Sequence, residues 1–154
     1  MRYRRTLVSL VLVLATASLS FKCSSGQQGP DDPVRKAAKA ADAIAGSITE
    51  MIKVKRQLAQ QKTITAEEEL ALTNALLKAN TADKAFLAAT KQLKGTPTAA
   101  DKSNLATLFS AVSAAVNEID AGVLGVKNPD AKAKLTTILN SIKASLAVIS
   151  SLTQ

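Results

Sequence analysis

Thr65-Ala66-Glu67-Glu68-Glu69-Leu70, continued by Ala71-Leu72-Thr73-Asn74-Ala75-Leu76, is the stretch whose reading decides the fold. Thr65 followed three residues later by Glu68 is a capping box, in which each side chain satisfies a free backbone N–H of the other residue. Glu67, Glu68 and Glu69 place negative charge at the positive end of a helix. Leu72, Leu76, Ala79, Phe86 and Leu93 then fall on one face of that helix. Its weak point is Asn80-Thr81-Ala82-Asp83, where the helix can break, and Gly95 is placed to end the segment. Asp83, beside Lys84, has two readings, a place near the core or a solvated edge, and the edge is the expectation.

Three further segments repeat the pattern. Asp32-Pro33 opens the first, with Asp as the N-cap and Pro at the first helical position. Its stripe is Ala41, Ile44, Ile48 and Met51, then Lys55 in an otherwise apolar slot, then Leu58, with an end near Gln61. The third segment starts at Thr96-Pro97, or at Thr98 with Asp101 reaching back. Leu105, Leu108, Phe109, Val112, Val116, Ile119 and Val123 form its stripe, and Gly122 and Gly125 are expected to fray its end. Asn128-Pro129 opens the fourth, whose stripe is Leu135, Ile138, Ile142, Ser145 with Leu146, Ile149 and Leu152. Starts near 32, 65, 98 and 128 imply long helices with short connections, which favour antiparallel neighbours. The expected fold is all-α, an up-down-up-down four-helix bundle over residues 33–154. The similar spacing of segments two and three comes close to a tetratricopeptide period, but each period holds one long helix and the Trp and Tyr signature is missing.

A different composition precedes the bundle. Met1-Arg2-Tyr3-Arg4-Arg5 is a positive start, Leu7 to Leu14 is apolar, and Ala15-Thr16-Ala17 is small. This order resembles a secretory signal peptide over residues 1–22; the apolar run is short for a spanning helix. An uncleaved amino-terminal anchor is the other reading. Cleavage after Ala17 fits ordinary signal peptidase. Leu19-Ser20-Phe21-Lys22-Cys23 partly resembles a bacterial lipobox, which would make Cys23 a lipidated first residue and a membrane tether. Lys22 and Phe21 depart from that pattern. Residues 23–32 have turn formers and little apolar matter, and read as a flexible linker. Export is the expectation, to the periplasm or envelope if the source is bacterial.

Composition narrows the chemistry. The 154 residues carry a formal charge of +8, but Arg2, Arg4, Arg5 and Lys22 all lie ahead of Cys23, leaving 16 cations against 12 acids, a net of +4. That mild excess, with three Phe, one Tyr and no Trp, lacks the basic stripe and stacking aromatics of nucleic-acid binders. Cys23 is the single cysteine, so no intramolecular disulfide can form. Without histidine, a di-metal bundle site and a His-activated nucleophile are out of reach. No catalytic, metal or cofactor residues are therefore expected.

Two features remain as candidates for function. Lys53, Lys55, Arg56 and Lys62 cluster near the end of the first helix. There they complement the helix dipole, and they could also form a basic pole against anionic lipid or wall polymer. The other feature is missing charge: residues 103–117 and 144–154 contain no charged side chain, unlike the first two helices. Such faces suit self-association or an unknown protein partner through helices three and four. The leading expectation is an exported, non-enzymatic structural or interaction module of the cell envelope. The alternatives are a peripheral binder using the basic pole, and an enzyme whose site leaves no trace in the sequence.

Overall fold

The computed structural model describes residues 32–93 and 96–153, without the side chains of Leu152 and Thr153. The leader, Cys23, the linker up to Asp31, and Gly95 lie outside the described residues. Four helices make up the fold: α1 (Pro33–Gln60), α2 (Ala66–Gln92), α3 (Ala99–Gly125) and α4 (Pro129–Thr153).

Each helix begins at a side-chain cap, because the first turn of any helix leaves backbone N–H groups without an internal partner. Asp32 Oδ1 accepts from the N–H of Val34 at 3.0 Å, with Pro33 in the first turn. Thr65 and Glu68 bond reciprocally at 3.2 and 2.7 Å. Thr98 and Asp101 do the same at 3.2 and 2.9 Å, so Thr98 and not Thr96 is the third cap. Asn128 Oδ1 accepts from the N–H of Ala131 at 3.0 Å.

The end of α1 uses a residue that periodicity gives no reason to notice. Lys62 sits at φ 54°, left-handed backbone usually given to glycine. Its N–H donates to Ala59 O and that of Thr63 to Leu58 O, both at 3.0 Å, which closes the last turn. A side-chain-bearing residue in this conformation costs roughly 1–2 kcal/mol. Burial of Ile64 just beyond, at 7% exposure, offsets that cost by drawing the turn onto the core.

α2 shows no interruption at its weak point. It runs unbroken through Asn80-Thr81-Ala82-Asp83. The Thr81 hydroxyl, which could compete for backbone elsewhere, donates to Leu77 O at 2.9 Å within the helix, while buried Ala79 and Phe86 hold both flanks on the core. α3 runs through Gly122 and ends at Gly125, with Val123 and Val126 buried on either side of that end. Gly122 is present for proximity: a Cβ there would stand 3.1 Å from Leu72 Cδ2.

α1 packs on α2 and α4, and α3 packs on the same two helices, so the four form a closed ring of seams. One apolar core fills it. Phe86, Ile44, Ile48, Met51, Leu72 and Leu135 are among its largest fully buried side chains. Buried alanines at 37, 40, 41, 75, 79 and 115 let the helices approach closely. Leu108, Phe109 and Leu146 of the expected stripes are only partly buried against this core.

Candidate functional site

The basic cluster divides when its side chains are placed. Lys53, Arg56 and Lys62 are exposed, whereas Lys55 is 6% exposed in the seam between α1 and α2. Its ammonium donates to Thr73 Oγ1 at 2.6 Å and to Glu69 Oε1 at 3.3 Å. The Thr73 hydroxyl donates a hydrogen bond to Glu69 O at 2.7 Å, which leaves its lone pairs free to accept from Lys55. Lys55 therefore does not belong to an outward basic pole. It occupies a core position because its long methylene stem packs like an apolar side chain while its charge is met by α2. Lys53, Arg56 and Lys62 have no ion-pair partner among the described residues.

The acidic residues are mostly engaged. Glu68 closes the Thr65 cap and also accepts from the N–H of Lys127 at 2.9 Å, tying the α3–α4 connection to the start of α2. Those backbone hydrogen bonds, Thr65 first and Lys127 second, hold its carboxyl below the usual range. The Thr98 side-chain and backbone hydrogen bonds do the same for Asp101. Glu118 pairs with Lys78 and Asp120 with Lys143, each at 2.7 Å. Among the described residues no three acidic, His or Cys side chains come together in a way that could hold a metal ion.

Asp83 contradicts the expectation of a solvated edge: it is 0% exposed. Neither carboxyl oxygen has a hydrogen-bond partner. Burial, with a smaller contribution from the charge of Asp42, raises its pKa to about 7. The signal for its burial is in the sequence. Leu72, Leu76, Ala79, Asp83, Phe86 and Thr90 step by four and three, and Asp83 stands in the stripe that apolar residues define on either side. Thr90, also buried, escapes the same difficulty by donating its hydroxyl to Leu87 O at 2.8 Å.

The charge-free runs are largely at the surface. On α3, Ser103, Asn104, Ala106, Thr107, Ser110, Ala111 and Ala114 are exposed; on α4, Ala144, Ala147, Val148 and Ser151 are. Several hydroxyls are turned inward to their own helix: Thr107 and Ser110 donate to carbonyls one turn back at 3.0 Å, Ser145 at 3.1 Å and Ser151 at 2.8 Å. The faces are thus less polar than their composition suggests. α3 is also long and apolar enough to cross a membrane by length and composition, with a mean hydropathy of 1.2 in its best window, 28% of which is buried. An open groove between α1 and α4 is lined by Glu50, Val54, Gln57, Lys134, Thr137 and Ile138. It holds no set of side chains arranged for chemistry. No family model matches the chain, and no curated protein or solved structure is similar to it.

Proposed function

We propose that the protein is an exported, non-enzymatic helical bundle of antiparallel, up-down-up-down course that serves as a structural or protein-interaction module of the cell envelope. The observation that carries the reading is the pair of charge-free faces on α3 and α4. Soluble surfaces ordinarily mix both charge signs, and contact surfaces are depleted in charge at their centres. The antiparallel course is supported by pairings that join helix ends to helix starts. Asp42 near the start of α1 meets Lys91 near the end of α2 at 3.9 Å, and Glu68 at the start of α2 meets Lys127 past the end of α3. Export is supported by the order of charge and apolarity in residues 1–22.

The contact surface is tested at Ser110 and Ser141, both exposed. Ser110→Glu with Ser141→Glu should weaken self-association at least tenfold in sedimentation without lowering thermal stability. A wild type that stays monomeric at millimolar concentration, with envelope capture unchanged by the two substitutions, would remove the reading. Anchoring is tested separately: the native protein should be heavier than the chain from Cys23 by its acyl groups, and Cys23→Ser should release it from membranes. An unmodified chain beginning near Ser18 rejects the tether and keeps export. A second reading is favoured by the exposure of Lys53, Arg56 and Lys62, a basic pole for anionic polymer. Its binding should weaken as salt rises.

A further inference from the structure

Asp83 is a carboxyl group in an apolar core with both oxygens buried and neither bonded. Buried polar groups are normally hydrogen-bonded, and a buried charge is normally paired, because the lost hydration is otherwise not replaced. Among the described residues no cation pairs with it. The charge that acts on Asp83 from α1 is that of Asp42, of the same sign, whose own cation is Lys91. On α2 itself, Lys84 is exposed and Lys78 is held by Glu118.

The neighbouring helices are silent for a reason visible in the pairings. α3 meets the start of α2 through Lys127 and its middle through Glu118. The part of α3 beside Asp83 therefore precedes Glu118, within the run 103–117. Asp120 pairs with Lys143, so the part of α4 at that end of the bundle follows Lys143, within 144–154. Both runs are without charge. The two charge-free runs and the unpaired acid are thus at one end of the molecule.

We propose that Asp83 is a proton-controlled latch: the closed bundle holds it as the neutral acid, and loss of its proton loosens the end where the second half of α2 packs on α1 and on the charge-free part of α3. The group binds its proton up to about pH 7 when folded and only to about 3.8 when the chain is open. Between those values the folded state holds more protons than the unfolded state, so folding weakens as pH rises and the loss is complete above about 7. Glu68 and Asp101, with lowered values, act in the opposite direction at the acid end of that range.

The experiment is urea unfolding of the full chain from pH 4 to 9, in the wild type, Asp83→Asn and Asp83→Leu. The ratio of folding equilibrium constants, variant over wild type, should rise about tenfold per pH unit to about a thousandfold near pH 7 and then level off. Only the change of that ratio with pH is read, so an overall loss of stability in one variant does not matter. In the wild type alone, the Asp83 carboxyl ¹³C shift should titrate near 7, and amide exchange in α2 beyond Ala79 should speed up across the same interval relative to its first turns. A ratio independent of pH, or a carboxyl that titrates near 4, would overturn the latch.

Discussion

Phe86→Ala should cost about 3–5 kcal/mol, the range for truncating a fully buried aromatic ring. Domains of this kind have roughly 5–15 kcal/mol in all, so the variant is expected to sit close to its unfolding threshold. Phe86 is completely buried, whereas Phe109 is only partly buried, and the rest of the core is aliphatic. The surroundings cannot collapse into the vacated volume, because close contacts at buried alanines such as Ala41, Ala79 and Ala115 already set how near the helices come. The cost therefore includes a persistent cavity as well as lost transfer energy. Urea unfolding at pH 5, where Asp83 is neutral, gives the cleanest measurement. A loss below about 1.5 kcal/mol would mean that the seams relax freely. Phe109→Ala serves as the control and should cost clearly less.

The second large effect is expected in the seam between α1 and α2. Glu69→Ala removes the carboxylate 3.3 Å from Lys55 Nζ and leaves the ammonium with the Thr73 hydroxyl alone. A fully buried pair broken this way costs about 3–5 kcal/mol. The Glu69 side chain is 39% exposed, so water reaches it and screens the pair; about 1–3 kcal/mol is the expected loss. Lys55→Met keeps the stem and discards the charge, and should be neutral or stabilising by about 1 kcal/mol. Combined with Lys55→Met, Glu69→Ala should cost less than about 0.5 kcal/mol, since no buried cation is left behind. Equal costs in the two backgrounds would show that Glu69 acts through helix capping and not through Lys55.

The parts of this fold that are legible in the sequence are those whose cause is local. A cap needs residues within three positions of one another, and Asp32, Thr65 and Asn128 announce their helices correctly, while the third start is legible only as Thr96 or Thr98, of which Thr98 is the cap. The stripes also predict most of the residues that enter the core, because helical spacing is a property of the chain alone, though Leu93, Leu108, Phe109 and Leu146 are only partly buried. Misreadings arise where a residue type and its position disagree. Lys55 and Asp83 both stand in apolar stripes, while their charge argues for water: the spacing puts Lys55 in a core slot and its type puts it in the basic cluster, and Asp83 reads more readily as a solvated edge. Position prevailed in both: Lys55 finds partners on α2, and Asp83 finds none but can be neutral. The hydrogen bond that the Lys127 N–H donates to Glu68 is illegible for another reason. It joins residues whose proximity exists only after α3 has packed, and no spacing along the chain encodes it.

The closed ring of seams has a consequence for how the chain reaches this structure. Three of the four seams join helices that follow one another in sequence, and each can zip from a short connection. The seam between α1 and α4 joins the two ends of the domain. Closing it fixes almost the whole chain as one loop, and the entropy of that closure is repaid only after the other helices are in place. The kinetic barrier to folding is thus expected to lie at the docking of α1 against α4. Substitutions at Ile138 or Leu58, on the two sides of that seam, should then change the rate of folding more than the rate of unfolding.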